Sequence, residues 1–194
     1  SGAAIFLSNR TTFQNLDQFT IHMSYSPESY DDLNSFGNGT YRIEEQSFLG
    51  LSYDSDGSQE FSYGLGLGVQ EEHLGDDTLI SRLSFSWRPD SRFAVNFEVR
   101  HFKRKGWLLH QEDRNMTSFD AEQWIPNVSA EYYISARQQL KFSLQWVGIK
   151  AQEKDFYRVP DRAGNLIEVA KPPGPPDSFS LSQMALQLRY RWEI

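Results

Sequence analysis

Ser182–Ile194 reads Ser-Gln-Met-Ala-Leu-Gln-Leu-Arg-Tyr-Arg-Trp-Glu-Ile. Every second residue from Met184 (Met184, Leu186, Leu188, Tyr190, Trp192, Ile194) is apolar or aromatic. The alternate set (Gln183, Ala185, Gln187, Arg189, Arg191, Glu193) is mostly polar or charged. A strand turns successive side chains to opposite faces, so the segment is a two-faced β-strand. It is also long enough to cross a bilayer as a tilted strand.

The pattern recurs upstream and predicts about eight strands of roughly 9–13 residues. Residues 17–25 place Phe19, Ile21, Met23 and Tyr25 opposite Thr20, His22 and Ser24. Residues 41–53 follow, with Leu49, Leu51 and Tyr53 on the apolar side and Phe48 on the other. In 61–70, Phe61, Tyr63, Leu65, Leu67 and Val69 alternate with Ser62, Gly64, Gly66, Gly68 and Gln70. Glycine at every second position weakens an ordinary strand but leaves room for neighbouring side chains on a crowded inner face. Residues 78–88, 93–103, 122–134 and 140–150 repeat the alternation, and Pro126 implies a break or bulge in the sixth strand. Residues 3–9 read as a further short strand or the tail of a preceding one.

The connections alternate in length. Residues 26–40, 104–121 and 151–177 form long connections, whereas 54–57, 89–92 and 135–139 are short. Outer-membrane barrels pair short periplasmic turns with longer extracellular loops. The fold expected is therefore all-β: an antiparallel up-and-down transmembrane β-barrel of about eight strands, or a fragment of a larger barrel. Residues 1–16 form an N-terminal segment or partial strand and 17–194 the barrel domain. The long loops are expected to be extracellular and the C-terminus periplasmic. Tyr53, Phe61, Trp87, Phe93, Tyr132, Tyr190 and Trp192 would form the periplasmic aromatic belt, and Tyr25, Tyr41, Trp124 and Trp146 the outer one.

The composition agrees with a half-polar wall. Hydrophobic residues are 39% and aromatics 14% of 194 residues, and no apolar run is long enough for a transmembrane helix. The formal net charge of -7 argues against a general nucleic-acid partner. Cysteine is absent, which removes disulfides and thiolate chemistry. No secretory leader is visible at Ser1, so the expectation is a chain processed or excised from a longer precursor.

The stretch Ser182–Glu193 (Ser-Gln-Met-Ala-Leu-Gln-Leu-Arg-Tyr-Arg-Trp-Glu) resembles part of an uncharacterised bacterial outer-membrane family. Its members join a domain similar to a family-9 carbohydrate-binding module to a C-terminal β-barrel region. The resemblance is close over less than a tenth of the chain, and no such module precedes the strands. It implies location and architecture, and no activity.

On this reading the lumen-facing charged residues are Arg42, Glu44, Arg82, Arg88, Glu98, Arg100, Glu131, Lys141, Arg189 and Arg191. Lys103, Arg104, Lys105 and Trp107, where the fifth strand leaves the outer face, are candidates for contact with lipopolysaccharide phosphates. Partners expected are outer-membrane lipid and lipopolysaccharide, the barrel assembly machinery, and a glycan or small-molecule ligand. Tyr30, Phe36, Trp107, Phe119, Phe156 and Tyr157 can stack on such a glycan or pack the loops. No cofactor or metal is implied. Residues 54–60 have a faint calcium-loop look, but Asp and Gly there read better as a turn. No serine stands out beside His22, His73, His101 or His110 as a catalytic pair. Two alternatives stay open. One is a soluble extracellular barrel or sandwich binding module with an apolar interior; the other is a lipid-modifying barrel enzyme.

Overall fold

A computed structural model describes residues 3–192; Glu193 and Ile194, assigned above to opposite faces, lie outside them. The chain is all-β and antiparallel, and among the described residues no helix is long and apolar enough to cross a membrane. The strands are β1 (Ile5–Thr12), β2 (Gln18–Ser26), β3 (Ser29–Asp31), β4 (Tyr41–Ile43), β5 (Gln46–Asp54), β6 (Phe61–Glu71), β7 (Asp77–Trp87), β8 (Phe93–His110), β9 (Asn115–Ser135), β10 (Gln138–Arg158), β11 (Ile167–Val169) and β12 (Phe179–Trp192). One sheet runs β1-β2-β5-β6-β7-β8-β9-β10, with β11 and β12 both on the far side of β10. β3 and β4 form a separate hairpin.

Each long strand pairs with the next in sequence, so the sheet is an up-and-down meander. Residues 13–17, 55–60, 88–92 and 136–137 join strands at one end. The longer excursions, 27–45 and 159–178, both lie at the other. Here the ends are called lower and upper. Among the described residues the sheet is open: β1 and β12 lie at its two ends and do not pair with one another.

The strands differ from the sequence reading in three ways. Residues 5–12 form a full edge strand in register with β2, from Ile5↔Tyr25 to Thr12↔Gln18. The second expected strand divides at Glu44-Glu45 into β4 and β5. Most of 104–121, read as a loop, is strand: β8 and β9 continue upward past a bulge at Arg104/Trp107 and turn only at 111–114. β10 rises with them to Arg158. Pro126 lies opposite Val99 without a register shift. Towards β10, the ladder loses pairs between Asn127↔Gln145 and Trp124↔Gly148 and keeps its register.

The sheet is curled. Trp107 on β8 and Phe179 on β12 are separated by β9 and β10, roughly 14 Å along a flat sheet, yet their rings lie 6.4 Å apart. Lys154 on β10 likewise reaches Asp76, in the turn before β7, at 2.9 Å. The glycines of β5 and β6 sit on the concave face. A Cβ on Gly50 would lie 2.7 Å from the Phe48 ring, one on Gly68 3.0 Å from it, and one on Gly66 3.3 Å from Arg82 Cβ. Phe48 thus lies flat over Gly50 and Gly68, which accounts for an aromatic residue on the polar side of its strand.

Among the described residues, packed apolar clusters are confined to the upper extension. Tyr41, Leu108, Met116 and Val159 form one, joined by Ile43, Leu74, Tyr157 and Leu166. Phe119, Ala121 and Ala151 form another with Trp107 and Leu109. Directly opposed pairs share a face, so Leu108 and Met116 lie on one face of the extended hairpin, and Trp107, Leu109 and Phe119 on the other. Tyr41, expected in the outer aromatic belt, is instead fully buried. It is anchored by a hydrogen bond of 3.3 Å from its hydroxyl to Asp31 Oδ2. Burial, and then the nearby Asp31 carboxylate, push the Tyr41 hydroxyl pKa well upward.

Candidate functional site

Below the extension, the two faces of the sheet are opposites. The convex face carries the apolar set, and it is open. Leu65 is 49% exposed, Leu67 62%, Leu186 60% and Leu188 65%. Along β6 this apolar row runs from Phe61 to Val69, about 27 Å at 3.4 Å per residue, and Met184 to Trp192 on β12 matches it in length. At the lower edge its aromatic rings touch from strand to strand. Trp87 packs on Phe93 at 5.8 Å, Phe93 on Tyr132 at 6.4 Å, and Phe61, Phe85 and Phe97 follow one another at 6.2 and 5.2 Å. At the upper edge, Trp124 stacks on His101 at 4.1 Å, and Trp146 Nε1 donates to Ser182 Oγ at 2.9 Å. Tyr25 donates to Glu45 at 2.8 Å.

The concave face carries the polar set. An open trough of about 530 Å³ spans β5 to β10, lined by Asp54, Ser84, Asn96, Glu98, Asn127 and Gln145 among others. Ladder registry builds it: Asp54, Gly64, Ser84, Glu98, Asn127 and Gln145 stand on one continuous rung. Gly64 and Gly66 lower the floor so that Arg82 can reach across β6. Its Nε donates to Glu98 Oε2 at 3.0 Å, its Nη1 to Asp54 Oδ1 at 3.4 Å and its Nη2 to Ser84 Oγ at 3.2 Å. Arg100 Nε donates to the other Glu98 oxygen at 2.8 Å. Lower down, Lys141 donates to Glu131 at 2.9 Å and Gln139 donates to the same carboxylate at 3.1 Å. The polar face is thus cross-linked by charge-assisted hydrogen bonds, among the stronger kinds.

Eight of the ten charged residues assigned to the polar face belong to the long sheet or its lower rim. Arg82, Glu98, Arg100, Glu131 and Lys141 form the network just described. Arg189 is directly opposite Lys141, and Arg191 opposite Gln139, on the β12 edge. Arg88 follows β7 at the lower rim, its amide bonded to the Glu60 carbonyl at 2.7 Å. Arg42 and Glu44 lie off the long sheet. Arg42 is on β4, ion-paired to Glu28 at 2.9 Å, and the Glu44 amide bonds the His73 carbonyl at 3.4 Å.

The four expected phosphate contacts do not share a face. Arg104 stands opposite Thr78 and Ala121 and is ion-paired to Glu72 at 3.2 Å. Its guanidinium lies 5.3 Å from the Phe102 ring and 5.1 Å from the Trp107 ring. Trp107 packs with Phe119 and Phe179. Both are turned inward. Lys103 and Lys105 are exposed. Alternation alone splits adjacent residues to opposite sides, a signal present in the sequence that reading the basic run as one cluster passes over.

Among the aromatic loop candidates, Phe119 is buried and Trp107 packed, whereas Tyr30 and Phe36 are exposed, with Phe36 resting on His110 at 5.2 Å. The 54–60 segment is a turn: both Asp56 carboxylate oxygens take bonds from Ser58 and Gln59. Those bonds, from Gln59 first and then Ser58, hold the Asp56 carboxyl below its ordinary pKa. Among the described residues no group of three or more His, Asp or Glu is placed to hold a metal. His101 Nε2 lies 3.0 Å from Glu122 Oε1, and His110 Nε2 2.8 Å from the Asp113 carbonyl.

Comparison with protein-family models, curated proteins and solved structures gives no match.

Proposed function

We propose that the chain forms the wall of a bacterial outer-membrane β-barrel. Its convex face meets lipid, and its concave face lines an enclosed polar space that holds or passes a polar solute. The observation that carries this reading is the reversal of burial along single strands. On β9, Met116 and Phe119 are buried in the upper extension whereas Trp124 and Tyr132 on the convex face below it are exposed, and the convex rows of β6 and β12 beside it are open. A chain folded for water has no reason to bury Phe119 and Met116 while exposing Leu65, Leu67, Leu186 and Leu188, because exposed apolar patches of this extent cost solubility. In a bilayer that face needs no cover. A row about 27 Å long, tilted by roughly 40°, stands about 21 Å tall, close to the apolar band of such barrels. The resemblance of Ser182–Glu193 to a barrel-region sequence points the same way.

Closure follows from strand direction. β1 and β12 both run from the upper end to the lower, so pairing them directly would be parallel. Antiparallel closure, the rule in bacterial outer-membrane barrels, takes an odd number of added strands between the two edges. Two copies sharing one orientation in the membrane do not supply it, since β1 of one would again meet β12 of the other in parallel. The wall is therefore proposed to be one part of a larger barrel, with a wider lumen than a packed eight-strand barrel would have.

Fractionation tests the reading. The protein is expected in the outer membrane, retained after urea extraction, with gel migration that changes on boiling. Recovery as a soluble monomer without detergent would refute it and favour the soluble module.

A further inference from the structure

Among the described residues are six lysines, and three of them are held by carboxylates: Lys141 by Glu131, Lys154 by Asp76 and Lys171 by Glu153. The other three, Lys103, Lys105 and Lys150, are exposed and come within ion-pair distance of none. Two of these share a rung. Lys103 is opposite Glu122, and Glu122 is opposite Lys150, so the lysines stand about 10 Å apart on the convex face with β9 between them.

The rung has a defined height. One side-chain step below it are His101, Trp124 and Gly148, with the Trp146 ring lying against Gly148. The lysines therefore sit one step, about 7 Å, above the tryptophans that mark the upper edge of the apolar band. The carboxylate between them is engaged elsewhere: Glu122 Oε1 lies 3.0 Å from His101 Nε2 and accepts from Trp124 Nε1 at 3.2 Å. Followed across β7, β6 and β5, the same rung carries Leu79, Val69 and Leu49, and one side-chain step above it the paired Glu71 and Asp77 make that side of the face acidic. Positive charge at this height is concentrated on β8 to β10.

Resting on the outer-membrane reading, we propose that Lys103 and Lys150 bind the phosphate groups of a phosphorylated glycolipid in the outer leaflet, with Trp124 and Trp146 packed against its upper acyl carbons. Lysine suits this role as a flexible point charge. The rings suit the layer just beneath, where amphipathic aromatics settle. The apolar rung and the carboxylates above it on the β5–β7 side leave the lipid phosphates one preferred seat. Arg104 and Trp107, which follow Lys103 in sequence, take no part, because they face the interior.

The test is a titration of the full chain in zwitterionic micelles with purified bis-phosphorylated lipid A, read by native mass spectrometry. Each lysine at an anionic surface is worth about a five-fold change in affinity, so K103Q/K150Q is expected to weaken binding about thirty-fold. K171Q, whose lysine holds a loop, is expected to bind as the wild type does, and lipid A stripped of its phosphates to bind all three proteins equally weakly. Equal binding by K103Q/K150Q and wild type would overturn the proposal. So would displacement of the lipid by millimolar sodium phosphate, which would mark a site for the free anion. Heat-dependent migration is measured on each protein alongside. A wild type that migrates identically with and without boiling, and needs no detergent, brings down the barrel reading itself. A wild type that shifts but loses nothing in K103Q/K150Q brings down only the lipid site.

Discussion

Replacing Leu65 with arginine separates a lipid-facing wall from a surface in water. Leu65 is at the centre of the β6 apolar row, four residues from Phe61 and four from Val69, on the convex face. Were that face in water, Leu65→Arg would exchange one half-exposed side chain for another and change stability by less than about 0.5 kcal/mol. Against lipid, an arginine near the midplane of a barrel wall costs about 2–4 kcal/mol. At 1.4 kcal/mol per factor of ten, that is a shift of roughly thirty-fold to several hundred-fold in the folding equilibrium. The matched control is Gln145→Arg, on the polar rung with Asn127 and Glu98. It adds the same group to the concave face and is expected to leave folding unchanged within about 0.5 kcal/mol. Both are measured by urea titration of protein folded into phospholipid vesicles, followed by tryptophan fluorescence. A neutral L65R, or a Q145R that destabilises more than L65R, would refute the assignment of faces.

Two further outcomes concern the upper extension. Tyr41→Ala removes the largest member of its buried cluster and is expected to cost about 3–5 kcal/mol locally. Limited proteolysis should then cut within 104–121 while the strands below stay protected and the protein stays in the membrane. The segment that carries Lys171 and residues 172–176 is fastened at Glu153, which accepts from Lys171 and from the Asp177 amide, the latter at 2.7 Å. The bond from Lys171 first, with help from that amide, lowers the Glu153 pKa. A carboxylate with a lowered folded-state pKa contributes fully above the ordinary glutamate value of about 4.3 and loses that contribution as the pH falls through the lowered one. The amides of Lys171, Gly174 and Asp177, the only ones in 171–177, should lose protection over that acid range in the wild type, hydrogen exchange being taken relative to the intrinsic rate at each pH. In Glu153→Gln the protection should be low and constant over that range.

The strands of the apolar band were legible because one of their faces is apolar and the other is not. Residues 61–70 and 78–88 read from alternation match β6 and β7 to within a residue at each end. The extension was illegible for the converse reason. Between Arg104 and Ala121, Leu108 and Met116 are buried on one face while Phe119 is buried and Trp107 packed against it on the other, so the period of two cancels, and the bulge after Arg104 shifts its phase. Chain length between elements therefore looked like a loop. β1 suffered similarly, since Ile5, Phe6 and Leu7 are consecutive and mark no face. The polar rungs were visible as residue types on alternating positions. Their cross-strand partners were not, because Arg82 meets Asp54 only through a register that no single strand encodes. The Lys103–Lys150 rung is of that kind: its members are distant in sequence and joined by two ladders.

The central claim is that one face of the sheet meets hydrocarbon and the other meets water. These 194 residues contain no cysteine, so single cysteines placed in turn at Leu140, Lys141, Phe142, Ser143, Leu144 and Gln145 on β10 can be spin-labelled with no competing thiol among them. In vesicles, labels at positions 140, 142 and 144 should be relaxed by oxygen, which concentrates in the bilayer. Those at 141, 143 and 145 should be relaxed by a water-soluble nickel chelate, giving two curves of period two in opposite phase. Curves in the reverse phase, or no alternation at all, would contradict the account.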